Sequence, residues 1–182
     1  MRTLGVMTIR DFIFSEVERV LKKYRTRDPY ELLDAIGAVT KFSYEYPYDG
    51  LKGYCTILNR ISYAIINGNL DDTDKKVAAG HEAAHLILHW KQITASPVKA
   101  MRDFNLYDSS GRVENEANFF LADFIISDQD VLEVIESAYD YFAAARTLCI
   151  PDPLLAFKLY SMMRRGYKVR SPVNLDSKFL GR

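Results

Sequence analysis

Residues 81–85 read His81-Glu82-Ala83-Ala84-His85, set in the apolar run from Val77 to Trp90. Asp71-Asp72-Thr73-Asp74 stands just ahead of it and offers N-cap side chains and negative charge to a helix N-terminus. A helix is therefore expected from about Lys75 to Trp90. On a helix, residues four apart share a face one turn apart. Two neutral imidazoles at that spacing, His81 and His85, can bind one divalent ion side by side. Glu82 stands one step round from His81, where its carboxylate can accept a proton from a water activated at the ion. HExxH on a helix is thus a candidate hydrolytic metal site.

Such a site needs a third protein ligand. The chain has three histidines, His81, His85 and His89, so ligand sets with a third histidine further along the chain are excluded. His89 lies eight residues from His81, about 12 Å along the helix axis, too far to join both others at one metal. It is expected behind the ligands or on the surface. The next strong helical pattern, Gly111 to Ile126, contains Glu114-Asn115-Glu116-Ala117-Asn118. At about 100° per residue, Glu114 borders the stripe of Ala117, Leu121 and Ile125. Glu116 falls about 160° away, near Asp123, on the expected solvent side. Glu114 is the expected third ligand, and Asn118, one turn on, is placed to hydrogen-bond a ligand. Zinc is the default metal for two histidines and a carboxylate; Mn²⁺ or Fe²⁺ can occupy the same donors.

Upstream, Thr8 is a candidate N-cap for a helix carrying Phe12, Ile13, Val17, Val20, Leu21 and Tyr24. Asp28-Pro29 with Glu31 starts a short second helix, with Leu32, Leu33 and Ile36 inward and Gly37 ending it. The period then changes. Val39–Tyr46, Leu51–Leu58 and Ile61–Ile66 read as strands, separated by Pro47-Tyr48-Asp49-Gly50 and Asn59-Arg60. They predict a three-stranded antiparallel meander. A polar loop is expected over about 91–110. Helical pieces are expected over 131–136, 140–148 and 152–166, followed by an irregular tail. The reading is one α+β, helix-rich domain over 1–182, with a core over 1–128 and a helical C-terminal lobe over 129–182.

Apolar residues make up 48% of the 182 and charged residues 26%, which excludes disordered and low-complexity classes. No apolar run is long enough to span a membrane, and the first residues do not read as a signal peptide. Cys55 and Cys149 lie far apart in no CxxC motif, as expected of reduced thiols in a cytoplasmic protein. Net charge is zero, against a general nucleic-acid binder. From Phe142 to Arg182, however, eight Lys/Arg face two acids, Asp152 and Asp176, so this segment carries about +6. Its two short helices, around Phe142–Ile150 and Pro153–Phe157, have helix-turn-helix-like spacing. DNA contact is one reading of this lobe. The favoured one is docking on the core or on a protein partner, because Leu154, Leu155, Phe157 and Tyr160 leave little exposed helix for a groove.

Ala79 through His89, with its His-Glu-Ala-Ala-His centre, resembles the signature of the ImmA/IrrE family of metallo-endopeptidases. Glu114-Asn115-Glu116-Ala117-Asn118, followed by Phe119-Phe120-Leu121-Ala122, resembles that family's second signature. Tyr24 through Leu33 is similar to its "YGTRDPFEL" segment, and Leu51-Lys52-Gly53-Tyr54, Ile66-Asn67 and Arg165-Gly166-Tyr167 match further features. The likeness runs from about Ser15 to Leu180. There are departures. Ala83-Ala84 replaces the usual Leu-Gly. Phe120-Leu121-Ala122 alters the small pair after the second signature. Ile125-Ile126-Ser127-Asp128 stands where many members have "LLMP". The resemblance implies a zincin-like core, in which a small sheet lies on the HExxH helix and a second helix supplies the glutamate. It also implies a cytoplasmic protease that cleaves a helix-turn-helix repressor, often encoded beside it.

Glu82 would then take the proton from the attacking water and return it to the leaving amine. Candidates to stabilise the oxyanion are Tyr54, Tyr107, Arg102 and His89. The strand 62–66 is the expected edge for pairing with an extended substrate. The competing reading is a regulatory DNA- or protein-binding module that keeps a metal without turnover.

Overall fold

A computed structural model describes residues 9–96, 100–103, 111–138 and 140–170; Thr8, Tyr107 and the tail from Ser171 lie outside them. Strands β1 (Val39–Ser43), β2 (Gly53–Leu58) and β3 (Ile61–Asn67) arise from the three β-rich segments. β2 and β3 form an antiparallel hairpin. Its turn residues Asn59 and Arg60 both have positive φ, 51° and 68°, as a two-residue type I′ turn demands.

The sheet differs from the expected meander in two ways. A fourth strand, β4 (Ala100–Asp103), pairs antiparallel with β2, inside the stretch expected to be a loop. β1 pairs with β3, in parallel, giving the order β1-β3-β2-β4. In a meander, Pro47–Gly50 would fold β1 back beside β2. Here the connection crosses the end of β3 and is fastened there. Asn67 Nδ2 donates to the carbonyls of Pro47 and Leu51, both at 2.9 Å, and Asn69 Nδ2 donates to that of Tyr46 at 2.8 Å. β3 is therefore an inner strand. It has no open edge for a substrate, which corrects the expectation for 62–66. Within this sheet the outer strands are β1 and β4.

The register aligns Gly53 with Ile66 and Cys55 with Ala64. These four share one sheet face, and all are buried. Helix α3 (Asp72–Leu88) lies against β2 and β3. Asp71 caps it, its Oδ1 accepting from the Asp74 N–H at 2.8 Å. α3 also packs on α2 (Pro29–Ala35) and α5 (Arg112–Ile125). Gly80 of α3 has no room for a Cβ, which would run into Leu121 of α5 and crowd Pro29. The missing side chain lets the two helices approach closely next to His81.

α5 is the central helix. α3, α1 (Ile9–Tyr24) and α8 (Asp152–Arg164) all pack against it. α1 contributes Ile13, Val17 and Val20 to the core, while Phe12 is exposed. α8 contributes Leu154, Leu155 and Met162, and Phe157 meets Phe119 edge-on at 5.1 Å. Each fully buried aliphatic side chain of this kind contributes about 1.5–3 kcal/mol. Short helices α4 (Trp90–Ala95), α6 (Asp128–Ser137) and α7 (Tyr141–Thr147) complete the described elements.

Enclosure of α5 overturns the assignment of a solvent side to it. Asp123 is buried. It accepts from Lys158 Nζ at 3.0 Å and Arg165 Nη2 at 3.3 Å. Lys158 also lies 2.7 Å from Asp128, which Arg165 contacts with both terminal nitrogens. Two cations of the basic C-terminal segment are thus neutralised inside the molecule.

The Tyr24–Leu33 segment ties these parts together. Asp28 Oδ1 accepts from the Tyr30 N–H at 2.8 Å and caps α2. Glu31 does not close a box with Asp28 directly. It accepts from the Thr26 hydroxyl, whose oxygen accepts the Asp28 N–H at 3.0 Å. Arg27 Nη1 donates to the carbonyls of Asp123 and Phe124 at 3.0 and 2.8 Å, satisfying the end of α5. Among the described residues, no helix is long and apolar enough to cross a membrane.

Candidate metal centre

α3 and α5 bring His81, His85 and Glu114 to one point. His81 Nε2 and His85 Nε2 are 3.0 Å apart. Glu114 Oε2 lies 3.1 Å from the first and 3.4 Å from the second. Both imidazoles are fully buried, and Glu114 is partly open. Among the described residues these three form a cluster of metal-ligating type. Donors about 2.0–2.2 Å from a tetrahedral ion stand about 3.3 Å from one another. The observed triangle has that size. Two ring nitrogens this close, facing a carboxylate oxygen, are a donor set that a cation satisfies. The residues present therefore fit a divalent metal.

Burial pushes the Glu114 carboxyl up. The hydrogen bonds and charge of His81 and His85 outweigh it, and hold the group well below the usual carboxylate range. Glu82 follows His81 and is fully buried. Its carboxylate lies against β2, where a Cβ on Gly53 would come within 2.7 Å of Glu82 Oε1. Gly53 was visible in the sequence only as part of a family resemblance. The signal that finds it is register, because Gly53 lies on the sheet face turned toward α3.

His89 does not sit on the surface. Its Nδ1 is 3.0 Å from His85 Nδ1, and its Nε2 is 3.0 Å from Glu116 Oε2. Burial pushes its pKa down, and the Glu116 hydrogen bond only partly offsets this. Both ring nitrogens are engaged, so His89 is not the donor for an oxyanion. Glu116, expected in solvent, is instead the partner of His89. The clue is the composition of α5, apolar on nearly all sides from Ala117 to Ile125, which marks a helix with no solvent face over that stretch. Asn118 is fully buried one turn along from Glu114. Strand alternation turns Tyr54 to the sheet face opposite Gly53, away from Glu82. Tyr107 and the side chain of Arg102 lie outside the described residues.

The Peptidase M78 family, described as the IrrE N-terminal-like domain, matches residues 53–158, from β2 into α8. An uncharacterized immunity region protein 2 of Bacillus phage phi105 is 29% identical over 127 residues, covering 67% of this chain and 76% of that protein. No solved structure matches significantly. The match takes in β2, the whole of α3 with its His-Glu-Ala-Ala-His sequence, and the whole of α5 with Glu114, and so contains the full candidate centre. The chain belongs to the Peptidase M78 family.

Proposed function

We propose that this protein is a metal-dependent endopeptidase of zincin-like fold, with zinc as its metal, acting in the cytoplasm on a helix-turn-helix repressor. The observation that carries the reading is the triangle of His81, His85 and Glu114 with Glu82 beside it. In this reading His81, His85 and Glu114 hold the ion. When bound, the metal supplies Lewis-acid activation of water and of the scissile carbonyl.

Glu82 does the proton work. Its carboxylate accepts a proton from the attacking water and delivers it to the leaving amine. Burial of the side chain beneath β2 keeps bulk water from competing for that proton. Asn118, buried behind Glu114, helps to hold the α5 side of the site.

A protein substrate is supported by the family, and the repressor class by the phage relative, whose name places it in an immunity region. The chain acts as one unit over 1–182, with the C-terminal helices as the surface that meets the partner. The internal pairing of Lys158 and Arg165 weighs against a DNA-contact role for those helices. The test is incubation of zinc-loaded protein with the repressor encoded at its own locus. Mass spectrometry should find one internal cut, absent with Glu82→Gln. An intact repressor under conditions where metal is bound would contradict the proposal.

A further inference from the structure

We propose that His89 and Glu116 fix the proton of His85 on Nδ1, and so leave its Nε2 lone pair aimed at the candidate metal centre. They are positioning residues, and the proposal rests on the reading of His81, His85 and Glu114 as metal ligands.

The argument is one of proton placement along a chain of four side chains. His85 Nδ1 and His89 Nδ1 are 3.0 Å apart. Two ring nitrogens at that distance need one N–H and one lone pair between them. If His85 donates, His89 accepts at Nδ1 and carries its own proton on Nε2. That nitrogen then donates to Glu116 Oε2 at 3.0 Å. The other oxygen of Glu116 accepts from Arg112 Nε at 2.6 Å. Every donor meets an acceptor.

The reverse assignment sets two acceptors against each other at the Glu116 end and blocks the candidate metal site at the other. With the His89 proton on Nδ1, its Nε2 lone pair would face the Glu116 carboxylate, and two acceptors would repel. The His85 proton would move to Nε2, the atom that faces His81 and Glu114. A nitrogen carrying that proton cannot bind a metal. Glu116 therefore decides the tautomer of a histidine it does not touch, through His89. His85 and His89 are fully buried, so water does not offer either ring an easy alternative partner. Arg112 is exposed and anchors the outer end of the chain at the surface.

Outer partners of this kind are typically worth about 10–100-fold in metal affinity. The experiment measures zinc affinity of the full chain by competition with a chelating indicator. It also reads the ¹⁵N shifts of the His85 ring in metal-free protein. Wild type should show His85 protonated on Nδ1. His89→Ala and Glu116→Ala should each weaken zinc binding by about tenfold to a hundredfold. The double variant should lose little more than either single one, because the two act in series. Glu116→Ala should also mix the His85 tautomers. His89→Gln, whose amide oxygen can accept from His85, should recover part of the affinity. Where an alanine variant does not fold, Glu116→Gln is read instead. Its amide can face His89 either way, so it too should mix the tautomers.

Unchanged zinc affinity in the folded variants would overturn the proposal. So would His85 protonated on Nε2 in metal-free wild type, or a loss of affinity with the tautomer unmoved. Failure of wild type to bind zinc, with His85 still protonated on Nδ1, would instead contradict the reading of the site as a metal centre.

Discussion

Gly53 and Glu82 lie so close that a Cβ on the glycine would sit 2.7 Å from the carboxylate oxygen Oε1. The same Cβ would be 3.2 Å from the Ile65 carbonyl across the β2–β3 pair. The strand thus forms a wall against which the Glu82 carboxylate rests. A glycine is needed there for close approach, not for an unusual backbone conformation.

Gly53→Ala should therefore act on catalysis more than on folding. The atom displaced is the end of a flexible side chain, so the fold should survive with a small loss in Tm. Misplacement of the general base by about 1 Å should lower kcat by about a hundredfold. Metal content should stay at the wild-type level. Wild-type kcat in this variant would show that the position of Glu82 is not set by β2.

Glu82→Gln separates holding the metal from using it. The amide has nearly the same shape but cannot accept the proton. Zinc stoichiometry and circular dichroism should match wild type, and repressor cleavage should fall below detection. Turnover retained in this variant would remove Glu82 from the role of base.

The buried pairing of Lys158 with Asp123 and Asp128 should dominate the stability of the C-terminal helices. Lys158→Ala leaves two buried or half-buried carboxylates on the single remaining cation, Arg165, and should cost about 3–5 kcal/mol in denaturant unfolding. Lys158→Met together with Asp123→Asn should cost much less, because no uncompensated charge pair is left. Equal losses in the two variants would mean that packing, not charge, holds α8 on α5.

Acid should weaken the same junction. Burial raises the Asp128 carboxyl, but hydrogen bonds from Arg165 and Lys158 and their charges outweigh it. The folded value lies well below the ordinary 3.8. The ionised group stabilises the fold, and that contribution is fully present above the ordinary value. It fades as pH falls from there toward the folded value. Wild type should lose Tm steadily below about pH 4, and Asp128→Asn should have a lower Tm at neutral pH and a flatter acid limb. Parallel acid limbs for the two proteins would exclude Asp128 as a source of the pH dependence.

Arg164 and Arg165 should behave differently although they are adjacent. Arg164 is exposed, whereas Arg165 binds Asp128 and lies 3.9 Å over the Phe14 ring. Arg165→Ala should lower Tm and Arg164→Ala should leave it within about 1 °C of wild type. Neither the wild type nor the variants should bind duplex DNA tightly at physiological salt. Tight binding lost on Arg164→Ala would favour DNA contact by this lobe.

The shared face of His81 and His85 and the approach of Glu114 to it were legible because both depend on helix periodicity, which is local. The β2–β3 hairpin was legible for the same reason, through Asn59-Arg60. The parallel pairing of β1 was not. It depends on Asn67 and Asn69 holding a connection more than 15 residues back in the chain across the end of β3. β4 is four residues long and has no pattern of its own. An amphipathic phase for α5 puts Glu116 and Asp123 in solvent, whereas Asp123 is buried and Glu116 meets His89. That helix is packed by α1, α3 and α8, so its charged residues turn inward to partners supplied by distant segments, His89, Lys158 and Arg165.

The central claim is that His81, His85 and Glu114 hold one divalent ion, and metal stoichiometry tests it most directly. Purified protein, stripped by chelator, reconstituted with zinc and passed through a desalting column, is assayed by elemental analysis. Wild type and Glu82→Gln should carry one zinc per chain, and His81→Ala and His85→Ala should carry none after the same treatment. Zinc-free wild type, or the same zinc content in the histidine variants, would contradict the account.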